Sequence, residues 1–290
     1  MKIPCVSVFL HQKRFIKSNS VNDFSVLTAK GSGAMMEKSK EMETAISAAK
    51  KAGKIILEKM ESRKVAELKG REDLSTESDI ESERAIIGII EKKFPGHNIL
   101  SEESKPKEKN SEFTWIIDPL DGTKNYFRKL PLFTVSIALA REKEIVLGVV
   151  FDPSAKRLYC AEKGKGAFLN GKRIGVSKTK SLDKATVFFD YGHLEKAELK
   201  ALNKMAGKVN FVRNFGLGSL GLCYVAQGGY DAYIGGIITK IVDIAAAELI
   251  AREAGAEISG RKGEKVDLFK SREIIASNGL LHKGLLEFFE

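Results

Sequence analysis

Apolar residues recur at helical spacing over residues 37–60, where Met42, Ala45, Ala49, Ile56 and Met60 fall on one face. A second helix is expected from about Ile80 to Phe94, carried by Ile80, Ile86, Ile87 and Ile90 and stopped by Pro95-Gly96. Ile99-Leu100 reads as a short strand that delivers Glu102 and Glu103 at its end, and Ser104 to Ser111 as a charged surface loop. Phe113 to Ile117 is a continuous apolar strand that runs straight into Asp118. Extended patterning then dominates through Leu132–Ala140, Ile145–Phe151 and Arg157–Cys160. Asn170-Gly171 signals a hairpin between residues 167–169 and 173–174. Beyond residue 183 strands and helices alternate. Strands are expected at Thr186–Phe189, Val209–Val212 and Ile274–Ala276, and helices near Glu195–Met205, Ser219–Gln227, Ile244–Ala254 and Leu280–Phe289. The mixture predicts a layered α+β protein rather than a doubly wound parallel sheet, with an α+β half over residues 35–183 and an α/β half over 184–290.

Residues 1–34 break the pattern. One acid, Asp23, stands there against Lys2, Lys13, Arg14, Lys17 and Lys30 among several serines, and Gly31 to Gly33 reads as a linker. The composition fits a targeting segment as well as a start assigned too early, since Met35 and Met36 directly precede the first helix. Either way the folded domain is expected to begin at residue 35. Hydrophobic residues are 43% of the chain and charged residues 30%, which suits an ordinary packed core. No apolar run reaches the roughly eighteen residues of a membrane span. Cys5, Cys160 and Cys223 are far apart and show no C-x-x-C spacing, which argues for reducing, cytoplasmic surroundings and against a zinc or disulfide framework. The net charge of +10 comes from Lys and Glu mixed along helix faces such as Lys38 to Lys64. No basic cluster is interleaved with aromatics, so nucleic acid is not the expected partner, while a modest positive field attracts phosphate esters.

Chemistry concentrates in Trp115-Ile116-Ile117-Asp118-Pro119-Leu120-Asp121-Gly122-Thr123. A buried strand ends there in two carboxylates held three residues apart by a proline, whose fixed φ lets the turn aim both at one point. Paired carboxylates without neighbouring His or Cys suit a hard cation such as magnesium rather than zinc. Gly122 and Thr123 then open a short helix, whose free N–H groups form a phosphate site. The same letters also describe a plain turn, because D-P and D-G are common turn pairs. Glu102 and Glu103 likewise follow a strand, while Asp79 and Asp243 stand at helix starts, where either is equally a cap.

Taken in order these segments resemble the inositol monophosphatase superfamily, the lithium-sensitive, magnesium-dependent phosphatases that include archaeal fructose-1,6-bisphosphatases. The likeness runs from about Lys38 to Leu286. Residues 73–79 resemble the first acidic motif, and residues 99–104 the G-E-E motif with Ser101 for its glycine. Trp115 to Tyr126 resembles W-x-I-D-P-x-D-G-T-x-N-F, residues 164–171 the following hairpin, and Val242-Asp243-Ile244-Ala245-Ala246 the W-D-x-A-A motif with Val242 for tryptophan. The resemblance implies an αβαβα sandwich and a homodimer with two to three magnesium ions per site. It implies that Glu102, Asp118 and the Leu120 carbonyl hold one ion, and that Asp118, Asp121 and Asp243 hold another, with Glu103 behind them. Thr123 and Asp79 would polarise the attacking water, with Glu102 among the catalytic groups. Asp121, Gly122, Thr123 and Gly218 would line the substrate.

Substrate choice is where the chain departs from the pattern. The glutamate that binds ring hydroxyls in the inositol enzymes is absent from residues 231–240, where Gly235-Gly236 stands instead. The expected substrate is therefore a small sugar or polyol phosphate, inositol monophosphate or fructose 1,6-bisphosphate. Arg213 and Lys240 are candidates for a second phosphate, or plain surface cations. A 3′(2′),5′-bisphosphate nucleotidase is the alternative within the superfamily. A non-catalytic phosphate-ligand or nucleic-acid-binding protein is the alternative outside it, and the intact acidic set argues against that.

Overall fold

The computed structural model describes residues 38–61, 65–68, 74–191, 196–236, 240–270 and 273–290; the extension over residues 1–34, the expected start of the domain at residue 35 and Asp73 of the first acidic motif lie outside them. Ser39 opens α1 (Lys40–Lys59), its hydroxyl accepting the Met42 N–H at 3.1 Å. Such a cap satisfies one of the donors a helix start leaves over. The predicted apolar face is the buried one, with Met42, Ala45, Ala49 and Ile56 out of solvent. A short antiparallel pair, β1 (Val65–Leu68) and β2 (Leu74–Thr76), follows. α2 (Glu77–Lys93) begins before the predicted Ile80, because Thr76 and Asp79 form a reciprocal capping box.

The predicted strands then assemble in chain order into one seven-stranded sheet: β3 (Asn98–Ser101), β4 (Phe113–Asp121), β5 (Thr134–Arg141), β6 (Glu144–Asp152), β7 (Arg157–Glu162), β8 (Gly166–Leu169) and β9 (Lys172–Arg173). β3 and β4 are parallel and every later neighbour is antiparallel. A one-turn helix, α3 (Thr123–Phe127), interrupts the order after β4. The second half is β10 (Thr186–Asp190), α4 (Lys196–Met205), β11 (Phe211–Arg213), α5 (Gly218–Ala226), β12 (Ala232–Gly235), α6 (Ile241–Glu253), β13 (Glu257–Gly260), β14 (Ile274–Ser277) and α7 (His282–Leu286). Its strands form a five-stranded sheet in the order β11-β10-β12-β14-β13, with β10 parallel to both β11 and β12.

Alternation along each strand sorts the core into layers. Trp115, Ile117, Ile137 and Val149 face α1 and α2 on one side of the large sheet. Their neighbours Ile116, Ala138 and Val150 join α5 and α6 on the other side, together with Phe188, Tyr233 and Ala276 from the second sheet. Val187, Phe189, Ile234 and Ile275 face outward onto Ala201 of α4 and Leu285 of α7. The result is αβαβα. Because both sheets are covered on both faces, their strands read as apolar runs rather than alternating ones. Each fully buried Ile or Leu contributes roughly 1.5–3 kcal/mol.

α6 seats very closely on the large sheet. A Cβ on Gly148 of β6 would lie 2.4 Å from the Ala246 carbonyl, so a side chain there would lift the helix. Ser136, paired with Asp118 across β4 and β5, donates to the Val242 carbonyl at 3.4 Å. These contacts fix the first turn of α6, which carries Asp243, against the end of β4.

Candidate active site

β4 pairs regularly with β5 up to Asp118↔Ser136 and resumes at Asp121↔Thr134, leaving one extra residue on β4. The irregularity falls where Pro119 has no N–H to give to the ladder. Asp118 Oδ1 accepts the Leu120 N–H at 2.9 Å, so the tight turn suggested by the D-P pair is present. Gly122 then adopts φ +92°, and a Cβ on it would meet the Leu132 carbonyl at 2.8 Å. Both facts require glycine after Asp121.

This turn presents its carboxylates to two other elements. One oxygen each of Glu102, Asp118 and Asp243 lie within 4.8 Å of one another, although the three come from the end of β3, the end of β4 and the first turn of α6. Asp118 is buried. Burial, and then the charges of Glu102, Asp121 and Asp243, hold its carboxyl well above the usual range. Burial and then Glu102 push Asp243 up to about 7. Asp121 is raised by burial and Asp243, although Ser219 moderates the shift through its backbone N–H (3.2 Å) and hydroxyl (2.5 Å), both donated to Asp121 Oδ2. A cluster of like charges at this depth is costly unless a cation compensates it. Its donors are all oxygens, which fits a hard divalent cation and not a soft one.

Lys240 partly compensates the cluster. Its ammonium lies 2.8 Å from Glu102 Oε1, and its backbone N–H donates to Asp243 Oδ2 at 2.7 Å. Sequence reading offered Lys240 as a phosphate contact or a surface cation; the structure seats it on a carboxylate of the cluster itself. Thr123 Oγ1 reaches Asp79 Oδ1 at 3.0 Å and the Leu120 carbonyl at 2.9 Å, two acceptors for one proton. Asp79 also takes the Thr76 N–H at 2.8 Å as its capping bond, so the cap and the Thr123 contact coexist on one carboxylate. Burial raises its pKa to about 6.

Other expected residues fall elsewhere. Glu103 turns away from the cluster: its Oε2 accepts from Ser75 Oγ at 2.7 Å and its N–H donates to Glu83 at 2.9 Å. Ser101, the departure from the G-E-E pattern, donates its hydroxyl to the same buried Glu83. Gly218 begins α5 beside Ser219, and a Cβ there would meet Asp190 Oδ2 at 2.9 Å and Tyr233 Oη at 3.0 Å. Arg213 ends the edge strand β11, its guanidinium 4.7 Å above the Phe211 ring, and no hydrogen bond or ion pair among the described residues ties it to the acidic centre. The expected phosphate cradle at α3 is a helix of five residues only; the longer α5 and α6 begin at Gly218 and Ile241, next to the same carboxylates.

The raised carboxyls make a prediction. Free Asp titrates near 4. Asp79 and Asp190 at about 6 and Asp243 at about 7 bind protons more tightly when folded than when unfolded. Folding is then favoured at low pH, and this contribution is lost as pH rises from about 4 to about 7. The EDTA-treated protein is expected to lose several kcal/mol across that window. Saturating magnesium should flatten the slope. Urea midpoints at pH 5 and 7.5, with and without magnesium, test this; a midpoint that rises with pH in EDTA contradicts it.

Five layers with a carboxylate cluster at the strand ends define a layered α+β protein with a candidate oxygen-only cation centre. The chain belongs to the inositol monophosphatase family, whose model matches residues 37–290. It is 39% identical to inositol monophosphatase 2 of Solanum lycopersicum over 255 residues, 84% of this chain and 96% of that one. The extragenic suppressor protein suhB of Bartonella henselae superposes with a TM-score of 0.83 at 33% identity, covering 87% of this chain and 99% of that one. An inositol monophosphatase–fructose 1,6-bisphosphatase of known structure superposes with a TM-score of 0.74 at 29% identity, covering 86% of this chain and 100% of that one.

Proposed function

We propose that the protein is a magnesium-dependent phosphomonoesterase acting on small polyol and sugar phosphates, inositol monophosphate and fructose 1,6-bisphosphate among them. The observation that carries this reading is the convergence of Glu102, Asp118 and Asp243 from three elements. Next to them stands the bonded pair Thr123–Asp79. Glu102, Asp118, the Leu120 carbonyl, Asp121 and Asp243 would hold the cations. When bound, magnesium supplies Lewis acidity, lowering the pKa of a coordinated water and offsetting charge on the phosphoryl oxygens. Thr123 donates its hydroxyl hydrogen bond to Asp79 or the Leu120 carbonyl and keeps lone pairs with which to orient the attacking water. Asp79, raised toward neutrality, is matched to take up a proton near pH 7. No Ser, Cys or His nucleophile is required.

These residues act on the phosphoryl group, so they are indifferent to the leaving alcohol. Gly235 and Gly236 offer it no side chain, and a Cβ on Gly236 would lie 2.4 Å from the Asp190 carbonyl. This supports a broad substrate range. Phosphate release from inositol 1-phosphate, fructose 1,6-bisphosphate and 3′-phosphoadenosine 5′-phosphate, each with magnesium or EDTA, tests the reading. No release from any of them would sink it, and release from the nucleotide alone would select the nucleotidase alternative.

Lys240 enters as a competitor. Its ammonium bonds Glu102 Oε1, an oxygen that a divalent cation would also need. Lys240→Met is expected to lower the magnesium concentration for half-maximal activity, and the Kd for manganese measured by calorimetry, by about three- to tenfold. A weaker cation affinity in the variant would mean that Lys240 supports the site instead.

A further inference from the structure

Asp190 is a half-buried carboxylate that the phosphoryl chemistry does not use. It is the last residue of β10, in register with Gly235 of β12. The two strands are parallel, and their carboxyl ends stand where α5 and α6 begin, the edge of an open α/β sheet at which ligands bind. β12 reaches this edge with Gly235 and Gly236, so Asp190 is the polar side chain that the pair of strands brings to it.

The carboxylate is held in place. Tyr233 donates its hydroxyl to Asp190 Oδ2 at 3.1 Å, from a ring that is itself fully buried and stacked on Phe188. Gly218 leaves the space that Oδ2 fills, since a Cβ would lie 2.9 Å from it. The next residue, Ser219, clamps Asp121. The charge of Asp190 acts on both Asp121 and Asp243, which places it beside the cluster. It is not one of the three carboxylates that gather within 4.8 Å. Oδ1 has no hydrogen-bond partner among the described residues, and the side chain remains half-buried, so solvent still reaches it. One oxygen is thus fixed by a buried phenol while the other has no hydrogen-bond partner among the described residues. A carboxylate oxygen only accepts hydrogen bonds. Next to a phosphoryl-binding centre it repels phosphate and suits a hydroxyl.

We propose that Asp190 is a specificity-determining residue whose Oδ1 accepts a hydroxyl of the alcohol portion of a polyol or sugar phosphate, with Tyr233 as the residue that positions it. The inference rests on the phosphatase reading above and narrows it to esters that carry a free hydroxyl near the phosphate. A site that bonds a substrate hydroxyl disfavours analogues without one, because its own acceptor is then left without a partner.

The test compares inositol 1-phosphate with p-nitrophenyl phosphate, which has no hydroxyl, in the full-length magnesium-loaded enzyme. For Asp190→Ala the ratio of kcat/KM for inositol 1-phosphate to that for p-nitrophenyl phosphate should fall by about ten- to a hundredfold, with the loss in KM. Asp190→Asn keeps the shape and a neutral acceptor, so it should fall part of the way; it also serves if the alanine variant does not fold. Tyr233→Phe should move the same ratio in the same direction. A ratio unchanged in both Asp190 variants, with the parent active on both substrates, overturns this inference and leaves the phosphatase reading standing. A tenfold or greater shift in the magnesium requirement on both substrates would make Asp190 a cation ligand and also overturns it. A parent that releases phosphate from neither ester overturns the reading of the site and this inference with it.

Discussion

Asp118→Asn is expected to lower phosphate release at saturating magnesium by a thousandfold or more, and to raise the stability of the EDTA-treated protein at neutral pH. Both effects have one cause. Asp118 is buried in contact range of Glu102 and Asp243, and its carboxyl is held well above the usual range by burial and by those neighbours. Asparagine keeps the volume and the Oδ1 acceptor for the Leu120 N–H, so the turn survives. What it removes is a negative charge. Without cations that charge is repelled by the rest of the cluster, and its loss relieves the folded state by on the order of 1–3 kcal/mol. On the proposed reading the same charge would be a cation ligand, and its loss would remove the compensation on which transition-state stabilisation depends. Steady-state phosphate release and thermal unfolding with and without EDTA measure the two sides. Activity within tenfold of the parent removes Asp118 from the cation centre, and an unfolded variant shows instead that the carboxylate is structural.

Thr123→Ala is expected to lower kcat by about a hundred- to a thousandfold while leaving the magnesium requirement within about threefold. The hydroxyl sits 3.0 Å from Asp79 Oδ1 and 2.9 Å from the Leu120 carbonyl and donates to either. It is not one of the gathered carboxylates. On the proposed reading, removing it would leave the attacking water without its orienting acceptor. It also strips Asp79 of one of the bonds that lower its pKa, so Asp79 moves further above about 6. The pH profile of kcat should therefore shift upward in the variant, a readout that a merely structural threonine would not give. Thr123→Ser keeps the hydroxyl and should recover most of the turnover. A large loss of cation affinity with normal turnover at saturation would contradict the role.

Some features of this chain were legible because their causes are local. The apolar run in residues 113–117, the helical spacing over residues 37–60 and the Asn170-Gly171 turn are each set by near neighbours in the chain, and the strand, the helix over Lys40–Lys59 and the hairpin stand where the pattern put them. The same holds for the turn after Asp118, where Pro119 and Gly122 dictate the backbone whatever lies around it. β12 was less visible. Ala232–Gly235 is four residues whose last is a glycine followed by a second one, Gly236, and no strand is expected there from sequence; it becomes a strand because β10 and β14 bond it on both sides. β13 and the β1–β2 pair are equally short, and pairing rather than propensity makes them strands.

The acidic motifs named Glu102, Asp118, Asp121, Asp243, Thr123 and Asp79 as candidates, since residue type and order are one-dimensional facts. Their meeting is not. Glu102 and Lys240 are 138 positions apart in the chain, Asp121 and Ser219 98 apart, and Asp190 and Tyr233 43 apart. Ser219 carried a weak signal in Gly218-Ser219, and Lys240 stood out only as a candidate phosphate contact, not as the partner of Glu102, while Asp190 at the end of a five-residue strand carried no signal that distinguished it from a surface polar residue. Residue order determined which elements form and which side chains can do chemistry. Tertiary packing decided which carboxylates share one volume, which cation they hold meanwhile, and how far burial raises their pKa values. Charge interaction and desolvation depend on distance and depth in three dimensions, and separation along the chain measures neither.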